Sequence, residues 1–149
     1  MLDLIIKNGS CYIDKDLKDQ DIAIKDGKII KIGKIDNEAK EVFDAKGLTV
    51  LPGCIDTQTH FREPGSTDTE DLHSGSRAAI VGGITSVFEM PNTNPPTSTK
   101  VEFQKKLDLA KNRMYCNYAF YFGATADNAN ELADLVNLEG CCGIKLFAG

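Results

Sequence analysis

The chain has 149 residues with 42% hydrophobic and 26% charged content, which suits one globular domain with a sizeable core. Its formal net charge is −5 and its cations are scattered, as in Lys25, Lys28, Lys31 and Lys34, which excludes the basic footprint of a nucleic-acid partner. No apolar run reaches membrane-spanning length and Met1 to Asn8 lacks a secretory-signal layout, so a cytosolic protein with no membrane partner is expected.

Residues 1 to about 52 read as a small β unit. Leu2, Leu4 and Ile6 alternate, as do Ile22 with Ile24 and Ile30 with Ile32. Asp26-Gly27 between the last two runs is a hairpin signal, because both central residues of such a turn need positive φ. A further turn at Asp44-Ala45-Lys46-Gly47 leads into Leu48 to Leu51. After Pro52-Gly53 the rhythm becomes strand then helix. Apolar strand candidates begin near Cys54, Ile84, Cys116 and Cys142, 30, 32 and 26 residues apart. Those steps match βαβ units, whose strands run parallel.

Three helices are expected between these strands. Leu72 to Val81 is the weakest in pattern. The second follows a Thr99-to-Glu102 capping box, with Phe103, Leu107, Ala110 and Met114 at helical spacing. The third carries Ala129, Leu132, Ala133 and Val136 behind Asp127 as N-cap. Four βα-type units suggest the first half of a (β/α)₈ barrel, which takes about 250 residues when complete. Periodicity alone also allows a small doubly wound domain. The five cysteines, Cys11, Cys54, Cys116, Cys141 and Cys142, are odd in number and form no CxxC. They read as buried free thiols acting as small hydrophobes in a reducing compartment.

Chemistry concentrates in Pro52 to Gly65. If Cys54 to His60 is a strand, period two sends Gln58, His60 and Arg62 to one side. At the C-terminal end of a first barrel strand that side faces the mouth, where barrel enzymes place their sites. Imidazole is a good ligand for a divalent metal, and an arginine fork suits a carboxylate. One His and one Arg equally fit a hydrogen-bonded structural residue and a solvated charge. Asn92, after Pro91 and beyond the Ile84 to Phe88 strand, either reaches the same mouth or serves its turn. His73 falls on the amphipathic helix and reads as structural. Asp56 reads as a residue behind the site.

These motifs in this order resemble a family. Asp44-Ala45-Lys46-Gly47 and Leu51-Pro52-Gly53-Cys54-Ile55-Asp56 look like the lead-in to the first barrel strand of amidohydrolases. His60-Phe61-Arg62-Glu63-Pro64-Gly65 narrows the resemblance to the dihydroorotase and allantoinase branch, and Met90-Pro91-Asn92-Thr93 looks like the dihydroorotase form of its segment. Gly143-Ile144-Lys145-Leu146-Phe147 resembles the strand that carries a carboxylated lysine. The resemblance implies a small β unit of the composite-sandwich kind over 1–52 and an incomplete, truncated TIM-type barrel over 53–149. It implies His60 as a ligand of Zn²⁺ or a similar metal, and Lys145 as a carbamate made with CO₂. Arg62 and Asn92 would bind the substrate carboxylate. A lysine between Ile144 and Leu146 in a buried strand would have the lowered pKa that CO₂ capture needs. At a strand end it would instead snorkel to water.

The chain departs from the family at Gln58, where His-x-His is usual, and an amide is a weaker metal ligand than imidazole. The family's remaining metal histidines and its general-base aspartate belong to later strands, beyond residue 149. The resemblance implies dihydroorotase activity for the parent protein, interconverting N-carbamoyl-L-aspartate and L-dihydroorotate in pyrimidine synthesis. The alternatives it leaves are an allantoinase or hydantoinase, and a non-catalytic partner of aspartate carbamoyltransferase. The partners it implies are a small carboxylate-bearing substrate, the remaining half of the barrel, and a second copy or that transferase.

Overall fold

The computed structural model describes residues 1–148. The chain separates into two compact units, Met1–Pro52 and Gly53–Gly149.

The first unit is all β. Its strands are β1 (Leu2–Lys7), β2 (Ser10–Ile13), β3 (Asp16–Asp19), β4 (Asp21–Lys25), β5 (Lys28–Gly33), β6 (Ala39–Asp44) and β7 (Thr49–Val50). They form two sheets, ordered β5-β4-β1-β6 and β3-β2-β7. The β4–β5 turn is the expected Asp26-Gly27, with φ of 50° and 71° at the two positions. The Asp26 N–H donates to the Asp3 carboxylate at 2.7 Å, which ties the turn to β1. A second hairpin joins β2 to β3 through Asp14 and Lys15, also at positive φ (54° and 69°), a turn that no glycine signals. Of the even-numbered apolar residues of β1 only Leu2 is buried, while Leu4 and Ile6 are half-buried. Ile5 is the most buried of that strand, packed with Leu2, Ala23 and Ile35. Ile5 is paired with Ala23 and Ile6 with Ile22, so both faces of β1 carry apolar side chains.

The second unit alternates strand and helix. In chain order it comprises β8 (Cys54–Thr59), α1 (Leu72–Val81), β9 (Ile84–Glu89), α2 (Lys100–Ala110), β10 (Asn117–Gly123), α3 (Leu132–Leu135) and β11 (Cys141–Lys145). The sheet order is β11-β10-β9-β8 with every pairing parallel. This is a (β/α)-barrel half, a curled parallel sheet with helices on one face, preceded by a small β unit. Its core lies between sheet and helices, around Phe61, Leu72, Val87, Phe103, Phe120, Phe122 and Leu135. Complete burial of one such phenylalanine contributes about 1.5–3 kcal/mol.

Local chemistry sets the helix ends. Asp71 caps α1 by accepting from Ser74 N–H at 2.6 Å, and the Ser74 hydroxyl closes a capping box. Thr99 caps α2 through Glu102 N–H, but Glu102 turns to Lys105 and does not close the expected box. The third helix is shorter than its spacing suggests. A 3₁₀ turn at Ala129–Glu131 leads into the four residues of α3, and neither has a side-chain cap. Asp127 is not a cap. The neighbouring Asn128 accepts from Thr125 N–H at 2.8 Å and donates to the Gly123 and Ser98 carbonyls, stitching the loop to the end of β10. The thiols are free, and Cys11 and Cys116 are buried. Cys54 is exposed, against expectation, because β8 is an edge strand of the sheet.

Candidate functional site

The residues singled out in the sequence lie at or just beyond the C-terminal ends of β8, β9 and β11. Thr59 pairs with Glu89, and both are buried toward the helices. By alternation His60, next after Thr59, faces away from the helices, while Gln58 lies within the register shift between Asp56 and Thr59. At the other edge, Ile144 packs into the helix-side core, so Lys145 next to it also faces away. The two lie on strands separated by β9 and β10, three steps of about 4.8 Å each.

His60 and Asn92 are in contact. His60 Nδ1 lies 2.8 Å from Asn92 Oδ1; a carboxamide oxygen only accepts, so this bond calls for the proton on Nδ1, which in the neutral ring leaves the Nε2 lone pair free. Their strands are joined just behind this point, where Met90 N–H donates to the Thr59 carbonyl at 2.9 Å. Gln58 is exposed, and its N–H donates to the Asp56 carboxylate at 2.9 Å. That bond sits at a register shift between Asp56 and Thr59. Asp56 is half-buried and spends its carboxylate on this local turn.

Arg62 does not follow the alternation expected of it. The strand ends at Thr59, and Arg62 has φ of 62°, its carbonyl accepting from Ser66 N–H in a turn. Its side chain is exposed. Lys145 is half-buried, and its Nζ stands 5.3 Å from the centroid of the Phe147 ring, itself exposed. The enclosed apolar setting expected around this lysine is not formed by the described residues, because β11 is an edge strand. His73 is exposed and meets the Tyr115 hydroxyl at 3.3 Å through Nε2, on the helix side of the sheet.

Two ion pairs carry no motif in the sequence, one partly exposed and one buried. Glu63 takes a bidentate pair from Arg113 at 2.8 and 3.1 Å, and also accepts Leu72 N–H at 2.8 Å. Glu63 thus fixes the start of α1 and holds the loop after His60. Glu89 pairs with Lys106, and both side chains are almost wholly buried. Beyond that pair neither Glu89 oxygen has a hydrogen-bond partner. Burial pushes the Glu89 carboxyl up to about 7 against the opposing pull of Lys106 and Arg62, and burial likewise pushes the Lys106 ammonium down. The signal was present: Lys106 falls in helical register with Phe103 and Ala110, on the buried stripe of α2.

Among the described residues no group of three or more His, Cys, Asp or Glu could hold a metal ion. His60 offers an imidazole of the kind that binds a divalent ion, whereas Lys145, on its side of the sheet, would be a donor only as a carbamate, so the residues present do not complete a catalytic centre.

The parallel βα order, the site at the strand ends and a match of residues 49–140 to the amidohydrolase family define the class. The chain belongs to that family. It is 42% identical over 146 residues to an allantoinase of Escherichia coli O1:K1, covering 97% of this chain and 32% of that enzyme. An L-hydantoinase (dihydropyrimidinase) from Arthrobacter aurescens superposes with a TM-score of 0.87 at 33% identity, over 97% of this chain and 32% of its own. A D-hydantoinase superposes at 0.79 with 34% identity, covering 95% and 32%. The chain spans about a third of the length of these relatives. The dihydroorotase reading put first from the sequence is less well supported than the allantoinase and hydantoinase alternative. No helix of the described residues is long and apolar enough to cross a membrane.

Proposed function

We propose that the protein containing these residues is a hydrolase of cyclic amides whose substrate is a ureide ring of the allantoin or hydantoin kind. The observation that carries this is the likeness along 97% of the chain to allantoinases at 42% identity. His60 and Lys145, the latter as a CO₂ carbamate, with Gln58 as a weak amide donor, would hold part of a divalent metal centre. Such an ion, zinc or a similar metal, supplies Lewis acidity and acidified water when bound.

The chain's own residues do the positioning. Asn92 orients the His60 ring through Nδ1 and keeps Nε2 directed at the site. Arg62, exposed beside them, offers a planar pair of donors to a ring carbonyl or a carboxylate. Asn92 still has its Nδ2–H₂ free to donate to substrate while Oδ1 is engaged. Holding the ring by such contacts lowers the entropic cost of bringing its amide carbon to the reacting centre.

Arg62 and Asn92 together favour one second reading, dihydroorotate, because a cationic fork beside an amide donor suits an anionic ring substituent. Purified full-length protein, loaded with zinc, would be offered allantoin, hydantoin and dihydroorotate in parallel. Ring opening of allantoin or hydantoin is the expected result. Turnover of dihydroorotate alone would replace the first reading by the second, and no turnover of any ring would defeat both.

A further inference from the structure

Beneath the loop that carries Asn92 lies an ammonium group with more partners than a simple ion pair needs. Lys106 on α2 is fully buried. Besides Glu89, its Nζ donates to the Met90 carbonyl at 3.1 Å and to Thr97 Oγ1 at 3.3 Å, and it stands 5.1 Å from the centroid of the Phe120 ring. Met90 opens the loop between β9 and α2, and Thr97 stands near its far end. Inside the loop, Thr97 N–H donates to the Pro91 carbonyl at 2.9 Å, and the Thr93 and Thr97 hydroxyls meet at 3.1 Å. The Thr97 carbonyl accepts from Gly123 N–H at 2.8 Å, which ties the same loop to the end of β10. Asn92 is held outward from this framework, against His60.

Stability alone does not account for this arrangement. An apolar pair of matching volume would stabilise a core at least as well as a buried ion pair. What an apolar side chain could not do is hold Met90 and Thr97 by directed hydrogen bonds. We propose that Lys106 is a positioning residue for the His60 imidazole: it clamps the Met90–Thr97 loop, the loop fixes Asn92, and Asn92 Oδ1 keeps the proton on Nδ1. The Nε2 lone pair is then presented to the site before any ligand arrives. The inference rests on the reading of His60 as a site residue and is independent of which ring is opened.

The test is ¹⁵N NMR of the histidine tautomers in the full-length protein, with His60→Gln assigning the signal, alongside amide exchange of the loop. The wild type should show neutral His60 as the Nδ1–H tautomer. Two variants follow: the double substitution Lys106→Met with Glu89→Met, which removes both buried charges at nearly constant volume, and the milder Thr97→Val. Each should mix the His60 tautomers and speed exchange of the hydrogen-bonded Asn94 and Thr97 amides by about tenfold or more, the signature of a loop that opens locally. An Nε2–H tautomer in the wild type would overturn the proposal. So would unchanged tautomer and exchange in either folded variant, and Thr97→Val decides alone if the double variant does not fold. A correct tautomer in a protein that opens no cyclic amide would defeat the proposed function and leave the clamp standing.

Discussion

Glu89 is the residue whose chemistry most depends on its surroundings. Its carboxyl, ordinarily near 4.5, is pushed up to about 7 by burial. Between those two values the folded chain holds a proton that the unfolded chain has lost, so stability falls as pH rises through that window. The span corresponds to about 3 kcal/mol. Lys106, whose ammonium burial pushes down, contributes with the opposite sign, rising with pH. Urea unfolding of Glu89→Gln from pH 4.5 to 7.5 should lose the downward slope seen in the wild type. A slope that survives the substitution would place the titration elsewhere. Gln58 carries the second prediction at this scale. An imidazole binds borderline divalent metals better than an amide oxygen. In the full-length protein Gln58→His should therefore raise the metal bound per chain, measured by elemental analysis, and an unchanged content would mean that Gln58 does not face the metal.

At the scale of elements, α1 owes its close seat to a glycine. A Cβ at Gly75 would overlap the Phe61 ring, which is part of the core next to His60. Gly75→Ala should push α1 off the sheet and cost about 1–3 kcal/mol, the usual penalty of overpacking. Asp71→Ala, which removes only the cap, should cost about 1 kcal/mol. Thermal melts of the two variants separate packing from capping, and equal shifts would contradict the assignment. The strand and helix rhythm of the second unit could be read from the sequence because each apolar run is bounded by its own turn chemistry. The third helix could not, since Asn128 uses its side chain to stitch a loop and leaves the helix without a cap. The β2–β3 hairpin was hidden for a related reason: Asp14 and Lys15 adopt positive φ without glycine. Of the site, His60 and Asn92 were visible as motif residues, but their mutual bond was not, because nothing local encodes a contact across 32 residues. Arg62 lies three residues past the end of β8 at positive φ, so the period-two rule does not reach it.

At the scale of the molecule, the sheet of the second unit has two edges. Among the described residues β8 pairs only with β9 and β11 only with β10. Each edge therefore offers a row of unpaired N–H and C=O groups, and unprotected edges of this kind pair with other chains. Apolar side chains lie beside them: Ile55 on β8 is 59% exposed, and Leu146, just after β11, is 66% exposed. The candidate site shares the deficit, since His60 and Lys145 alone fall short of the three protein ligands usual for a catalytic zinc. Residues 1–149 expressed in isolation should therefore open no cyclic amide and should self-associate with rising concentration. Sedimentation velocity would follow the association, and Ile55→Lys should weaken it, because a charge on an edge strand opposes strand addition. A monomeric isolated chain with metal-dependent turnover would contradict both statements at once. It would mean that the four strands are stable with open edges, and that His60, Lys145 and Gln58 suffice to hold the ion.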